Sequence, residues 1–167
     1  MGKKEKVVEV KPPTDYFKGV QVDLKTVKTA VLNLESTEVS VLTKCASSIF
    51  NFIVKGRVKP QKYQNNIFLL DREANAPIIH EMGAIQKLAN LIDYNDDLVR
   101  RYALQALAIM CDQPSIKQAL VLIKDELLPK LFLIIVDKDV IAVEFAIMII
   151  ASLSTGQSNV DPPDTYM

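Results

Sequence analysis

The sequence predicts an all-α protein, a right-handed solenoid of about three helical repeats. The first observation is a recurring pattern. Residues 88–110 combine L-x-x-L-I, a short acidic loop and V-x-x-x-A-x-x-A-L-x-x-M, and residues 131–153 repeat this order. The second observation is the interval, because Ala103 and Ala146 at the first small position lie 43 residues apart. Helical units that recur at such a period stack into a solenoid, which usually binds other molecules rather than catalysing a reaction.

Composition and charge are those of a folded protein without a membrane segment. The 167 residues suit one domain, and 49% of them are apolar. The net charge of zero hides a split, with +6 over residues 1–62 and −6 over residues 63–167. Two interpretations stay open: a basic end that steers an acidic partner, or a lysine-rich tail beside ordinary solvated helices. No apolar run has transmembrane length and no signal peptide is recognisable, so we expect a cytoplasmic protein.

The limits of the pattern predict the domain organisation. Lysines and Pro12-Pro13 near the start predict disorder, as does the polar, proline-containing end. The predicted divisions are a basic, proline-containing disordered tail at 1–20, a repeat domain at 21–155 (repeat 1 at about 22–56, an insertion at about 57–73, repeat 2 at about 75–112 and repeat 3 at about 115–154) and a disordered C-terminal tail at 156–167.

Repeat 1 is predicted to contain two helices. Apolar residues at spacings of three and four predict a helix that begins near Asp23. After a break at 35–37, a second helix is predicted over about 38–55, with the buried face V-x-x-x-C-x-x-S-I-x-x-F. This is a third copy of the pattern, in which Cys45 takes the small position. Since short side chains let two helices approach closely, Cys45 is predicted to be a buried, reduced thiol.

An insertion separates repeat 1 from repeat 2. Cys45 and Ala103 lie 58 residues apart, about sixteen more than the period. The first half of the excess is polar and contains Pro60, which predicts a loop outside the solenoid. Ile67–Leu70 is apolar, and three alternatives stay open for it: folding back on the domain, a short helix, or a docking motif.

Repeats 2 and 3 are each predicted to contain a short, a medium and a long helix. In repeat 2 the short helix is predicted to begin at Pro77 and to end at Met82, with Gly83 as its C-terminal cap. The remaining predicted helices span 84–92 and about 97–110 in repeat 2, and 115–124, 127–136 and 139–154 in repeat 3.

Two strings in repeat 2 resemble the armadillo repeat family. Residues 80–92 contain E-x-G-A-I and L-x-x-L-I, and residues 99–107 read V-x-x-x-A-x-x-A-L; the resemblance extends over about 22–155. It implies armadillo-type repeats whose long third helices line a concave face, and a scaffold for protein–protein interaction. A narrower likeness, carried by the N-terminal Met-Gly-Lys-Lys, residues 52–56 and residues 144–146, is to members associated with cilia, flagella and male germ cells.

The resemblance also implies where a partner would bind. If the first small residue of each long helix is position zero, the concave face includes about positions −2, −1, +2 and +6. The residues predicted to bind protein are Thr43, Lys44, Ser47, Asn51, Arg101, Tyr102, Gln105, Ile109, Glu144, Met148 and Ser152. Nuclear-import adaptors of this family carry Trp at +2 and Asn at +6 in successive repeats, which this chain does not. Because the predicted binding residues carry charges of both signs, we expect the ligand to be an extended peptide of mixed or weak charge.

Residue patterns that carry chemistry are missing from the sequence. It has no phosphate-binding, dinucleotide-binding or nucleophile-elbow motif. His80 is the one histidine, predicted to lie on a helix surface, and Cys45 and Cys111 are too few for a metal set. We therefore predict a protein that is not an enzyme, that needs no cofactor or metal, and that binds neither nucleic acid nor membrane.

Two functions are predicted. The first is a non-enzymatic scaffold that binds a protein or peptide on the concave face, in the cytoplasm and, by resemblance, in cilia, flagella or germ cells. The alternative is an assembly component that associates with itself or another chain, end to end, through an uncapped C-terminal repeat. Its basis is the apolar stretch Ile141–Leu153, after which the sequence predicts no capping helix.

Overall fold

Stacked α-helices make up the structure, a computed structural model that describes residues 22–55 and 67–155, with side chains described for 22–54 and 74–155. The helices in these ranges are α1 (Leu24–Leu32), α2 (Val39–Lys55), α3 (Ile67–Glu81), α4 (Ala84–Ala89), α5 (Asp97–Met110), α6 (Pro114–Leu122), α7 (Lys124–Ile135) and α8 (Val140–Ser154). A 3₁₀ turn, Asn33–Glu35, follows α1, and the described ranges contain no strand.

The helices form three layers that follow one another along the chain. Repeat 1 contributes α1 and α2, repeat 2 contributes α3 to α5, and repeat 3 contributes α6 to α8. The long helix α5 packs against α2 on one side and against α8 on the other, while α3 packs against α6. Within repeats 2 and 3, the medium helices α4 and α7 pack on the long helices α5 and α8. The predicted all-α solenoid of about three repeats is confirmed.

The small positions of the pattern lie where the long helices are most closely packed. Ala103 and Ala146 are fully buried, and Cys45 is 7% exposed. Burial raises the pKa of the Cys45 thiol, because a thiolate would lose its hydration there. Cys45 and Cys111 are both buried. Larger side chains at these points would push neighbouring helices apart, which explains the recurrence of Ala and Cys.

Acidic N-caps and one glycine define the helix ends. The Asp96 carboxylate accepts the backbone N–H groups of Leu98 and Val99 at 3.0 and 3.1 Å, satisfying donors that have no partner inside α5. At the end of α3, Gly83 has a φ of 72° and its N–H donates to the His80 carbonyl at 2.8 Å. That left-handed backbone suits glycine alone without strain, so the predicted C-terminal cap is confirmed.

The predicted start of the short helix in repeat 2 is wrong. Helix α3 begins at Ile67 rather than at Pro77, so the proline lies inside it. A proline removes one backbone N–H, and α3 continues through it because Ala76 and Ile79 on either side are fully buried. The second half of the predicted insertion is therefore helical, and of the alternatives for Ile67–Leu70 a helix is the one observed.

Other boundaries differ by a few residues. Helix α4 ends at Ala89 and a turn follows, whereas the pattern predicts a helix as far as residue 92. Helix α7 begins at Lys124, three residues before its predicted start, and includes Pro129. The predicted tails at 1–20 and 156–167, and the predicted loop that contains Pro60, lie outside the described residues.

Candidate protein-binding face

The long helices α2, α5 and α8 present the predicted binding residues on what we call the long-helix face, the side that carries positions −2, −1 and +2. Lys44 and Glu144 are exposed there, and Met148 is 42% exposed. The half-buried members of the predicted set are Thr43, Ser47, Asn51, Arg101, Tyr102, Gln105 and Ile109. Ile109 also packs against the core, so its exposed part is an apolar edge.

On α2, two of the predicted residues direct their hydroxyls to their own helix. Thr43 Oγ1 donates to the Val39 carbonyl at 2.8 Å, and Ser47 Oγ donates to the Lys44 carbonyl at 3.0 Å. Their hydrogen-bonding capacity is thus partly used by the backbone. The Lys44 side chain is consequently the charged group that this part of the face offers to solvent.

An aromatic pair joins the first two repeats beside this face. The rings of Phe50 on α2 and Tyr102 on α5 have centroids 6.3 Å apart at an interplanar angle of 47°. Tilted arrangements of this kind are favourable for aromatic rings and fix their position. Tyr102 is therefore held by the α2–α5 junction while part of its side chain stays accessible to a ligand.

Arg101 connects repeat 2 to repeat 3. Its Nε donates to Asp139 Oδ2 at 2.8 Å, and Asp139, at the N-cap of α8, also accepts the Ala142 N–H at 3.3 Å. The Asp139 side chain is only 6% exposed. Burial alone would raise its pKa, but the hydrogen bonds from Arg101 and Ala142, with the positive charges of Arg101 and Arg100, outweigh this and lower the pKa of Asp139. The hydrogen bond to Asp139 correspondingly raises the pKa of Arg101.

Gln105 lies at the centre of the long-helix face, at position +2 of the middle helix. Its side chain is half-buried, and its Oε1 is buried without a hydrogen-bond partner among the described residues. An acceptor without a partner costs free energy, unless a donor reaches it. A ligand N–H would reach this oxygen only after the Gln105 side chain changed its rotamer.

One predicted binding residue is not on the surface. Ser152 is buried, and its hydroxyl donates to the Cys111 carbonyl at 2.8 Å. Cys111 is the C-cap residue of α5, whose last carbonyls have no partner inside the helix, so Ser152 satisfies one of them from the next repeat. The prediction that Ser152 faces a ligand is therefore corrected to a structural role between repeats.

Sequence reasoning missed two residues that hold this face in place. Asp139 is not among the predicted binding residues, although it anchors Arg101. Asn75 is 2% exposed, and its Nδ2 donates to the Phe52 carbonyl near the end of α2 at 2.9 Å. One feature of the sequence does single out Asp139. It stands seven residues before Ala146, just as Asp96 stands seven residues before Ala103.

Residues 22–55 and 67–155 contain neither a metal-binding cluster nor a membrane-spanning helix. No group of three or more His, Cys, Asp and Glu side chains there is arranged to hold a metal ion. Nor is any described helix long and apolar enough to span a bilayer.

The sequence is similar to a curated armadillo repeat protein. No protein-family model matches the chain. It is 31% identical over 120 residues to Armadillo repeat-containing protein 3 of Homo sapiens, a match that covers 72% of this chain. The chain spans 12% of the length of that relative.

Solved structures with a similar fold are engineered repeat proteins. Two are described as engineered proteins, with TM-scores of 0.61 and 0.59 and 20% sequence identity to this chain. Each match covers 79% of this chain, and the matches cover 47% and 48% of the engineered chains respectively. A third belongs to computationally designed armadillo repeat proteins for modular peptide recognition, with a TM-score of 0.55, 20% identity, and coverage of 78% of this chain and 48% of that one. At this identity the likeness shows the fold, which is an armadillo-type solenoid.

Proposed function

We propose that this armadillo-type solenoid is a protein-binding scaffold that holds an extended segment of a partner on the concave side of its long helices. An armadillo fold suggests a protein-binding role in general. The observation that carries the finer proposal is Gln105, whose buried acceptor has no partner and lies at the centre of a row of accessible polar side chains. A backbone N–H of a bound segment would supply the missing donor.

The exposed groups around Gln105 specify the segment. Lys44 on α2 and Glu144 on α8 are exposed charges of opposite sign, while Tyr102 on the middle helix α5 and Met148 on α8 supply apolar surface. Arg101 contributes little free charge, since Asp139 neutralises it. We therefore propose an extended peptide with separated acidic and basic residues and an apolar residue between them, rather than a uniformly charged one.

The decisive variant is Gln105→Met, which keeps the side-chain length and removes the acceptor. The free energy of unfolding should stay the same or rise, because an unsatisfied buried oxygen is lost. Partners identified by proximity labelling or pull-down from native tissue should be lost at the same time. Gln118→Met, at an exposed position of α6, is the matched control and should change neither property.

A charge reversal gives an independent test. Lys44→Glu should weaken the same partners, whereas Lys28→Glu, an equally exposed reversal on α1, should not. If every partner stays bound to both Gln105→Met and Lys44→Glu, the long-helix face is not the binding site. Arg101 is unsuitable for this purpose, because its reversal would place a carboxylate against Asp139 and destabilise the repeat junction.

We propose the cytoplasm as the location, with cilia or flagella as the narrower expectation. The basis of this proposal is the narrower family resemblance carried by the N-terminal Met-Gly-Lys-Lys, residues 52–56 and residues 144–146. Imaging of the tagged chain in ciliated cells tests it, and a purely nuclear signal would contradict it.

A second candidate function is assembly through the C-terminal end of the solenoid. It is favoured by the distribution of exposed apolar residues: Ile147 is 50% exposed, Phe132 57% and Val136 81%, all within repeat 3. Replacing Ile147 by Lys should then remove a partner that Gln105→Met retains. The two variants thereby separate assembly through this end from peptide binding on the long-helix face.

A further inference from the structure

The last described repeat leaves an apolar surface uncovered. We call it the end face and define it by Phe132 and Val136 from the α7 end and Ile147, Ile150 and Ala151 from α8. Ile150 is half-buried and the others are exposed. Helix α8 is apolar on nearly all sides, with Glu144 as its one charged residue. Such a helix belongs in an interior, yet no described helix packs on the far side of α8.

The same positions are interior in repeat 2. Forty-three residues before Ile147, Ile150 and Ala151 lie Leu104, Leu107 and Ala108, which are at most 1% exposed. Helix α8 packs against α5 there. In repeat 1 the residue equivalent to Ala108 and Ala151 is Phe50, whose ring contacts Tyr102 of the following repeat. The end face thus continues the series of surfaces by which each repeat contacts the next.

The α7 side of the end face shows the same continuity. Ala89, the counterpart of Phe132, is 4% exposed and borders a crevice with Leu127 and Lys130 of α7. Asp93, the counterpart of Val136, is ion-paired with Lys130 at 3.0 Å. Repeat 3 therefore contacts in repeat 2 the positions whose counterparts in repeat 3 have no contact with a further described repeat.

Charge at the junction indicates which repeat would fit. Arg101, two residues before the small position of α5, binds Asp139, which stands seven residues before the small position of α8. In repeat 3 the residue two before the small position is Glu144, which is exposed. The sign is reversed, so an incoming repeat with an acid seven residues before its own small position would be repelled.

A second copy of this chain does not meet that requirement. Seven residues before Cys45 stands Glu38, which is also exposed. If repeat 1 of a second copy stacked on the end face in the register of the repeat 2–repeat 3 junction, Glu38 would be opposite Glu144. Like charges in this arrangement disfavour self-stacking.

We propose that the end face is the docking surface for a further armadillo-type repeat, one in which the residue seven before the small position of the long helix is Lys or Arg. This deepens, and rests on, the assembly role proposed above. The apolar residues of the end face supply the contact area, and Glu144 selects the partner by charge.

The test uses the full chain with a fourth repeat added as the probe. A copy of residues 114–155 is inserted between Thr155 and Gly156, with the copied Asp139 either retained or replaced by Lys. Each version is combined with native Glu144 or with Glu144→Arg. These four chains form a double-mutant cycle. Replacing the copied Asp139 by Lys also removes a helix N-cap, but this loss is the same with Glu144 and with Glu144→Arg, so it cancels from the coupling energy.

Amide hydrogen exchange of residues 147–151 is the readout. With native Glu144, the Lys copy should slow exchange about tenfold or more relative to the native chain. Glu144→Arg should increase protection by the Asp copy and decrease protection by the Lys copy. Circular dichroism reports whether the added helices fold, and a copy that stays unfolded in all four chains counts against docking, since a repeat folds by stacking on its neighbour.

The possible failures are distinguishable. If no chain protects residues 147–151, both the docking proposal and the assembly role are wrong. If all four protect them equally, the assembly role stands and charge selection by Glu144 is wrong. Light scattering on the native chain completes the test: a monomer is expected at micromolar concentration, and concentration-dependent filaments would overturn the exclusion of a second copy.

Discussion

The two ends of the described solenoid differ in the surface that they present to solvent. Between α1 and α2 the first repeat has a shallow depression of about 470 Å³. Polar, charged or small residues line it: Lys25, Thr26, Thr29, Ala30, Asn33, Lys44, Cys45 and Ser48. The last repeat presents the apolar end face instead. A terminal repeat with a polar outer surface is stable in water, whereas an exposed apolar surface gains free energy when another repeat buries it.

The middle repeat shows what the same positions do when they are covered on both sides. Val99 and Ala106 of α5 are fully buried, whereas their counterparts Val41 and Ser48 in α2 are only half-buried. Leu104 is fully buried, whereas Ile147 in α8 is half exposed. The same position of the pattern is thus buried where a neighbouring repeat packs on it and exposed where none of the described repeats does. Each end helix loses burial on the side that faces away from the middle.

The largest expected difference is between Leu104→Ala and Ile147→Ala. Truncation at Leu104 should lower the free energy of unfolding by about 2–5 kcal/mol, because it leaves a cavity in the α5–α8 junction. The same truncation at Ile147 should cost below about 1 kcal/mol, because half of that side chain is already in water. Urea unfolding of both variants measures this, and equal losses would mean that the end face is covered in solution.

Overpacking compares the middle repeat with the first repeat at the small position of their long helices. Ala103→Leu should destabilise by about 1–3 kcal/mol and lower the melting temperature, because the fully buried position has no room for three more carbons. Cys45→Leu should cost less, since Cys45 borders the depression between α1 and α2. Cys45→Ala controls for loss of the thiol. A cost at Cys45 as large as that at Ala103 would show that the depression cannot accommodate the leucine side chain.

The sequence was sufficient where structure depends on local pattern. Helix α5 runs from Asp97 to Met110 as predicted, because an acidic N-cap, a 3.6-residue period and small residues at fixed spacing all lie within the helix itself. The turn at Gly83 was predictable for the same reason, since its left-handed φ is a property of one residue.

It was insufficient where a contact joins distant residues. Arg101 fits the pattern of a ligand-binding side chain, but its partner Asp139 is 38 residues away and belongs to the next repeat. Ser152 likewise bonds a carbonyl 41 residues earlier. The start of α3 was missed because Pro77 is a strong local signal, while the packing of Ala76 and Ile79 that offsets it is tertiary.

The smallest effect should be one of pH, and it should belong to the repeat 2–repeat 3 junction rather than to the end face. The pKa of Asp139 is lowered in the folded chain, so its contribution to stability is present above the ordinary Asp pKa of about 3.9 and is lost as pH falls through the folded value. Asp139→Asn should therefore lower the free energy of unfolding at pH 7 by about 1 kcal/mol, and the difference from the native chain should shrink as pH falls below that range. Glu144→Gln, which removes an exposed carboxylate on the same helix, is the matched control and should change stability less at pH 7. Urea unfolding from pH 7 down to acid measures both variants, and a difference for Asp139→Asn that does not depend on pH would mean that the ion pair with Arg101 does not hold the two repeats together.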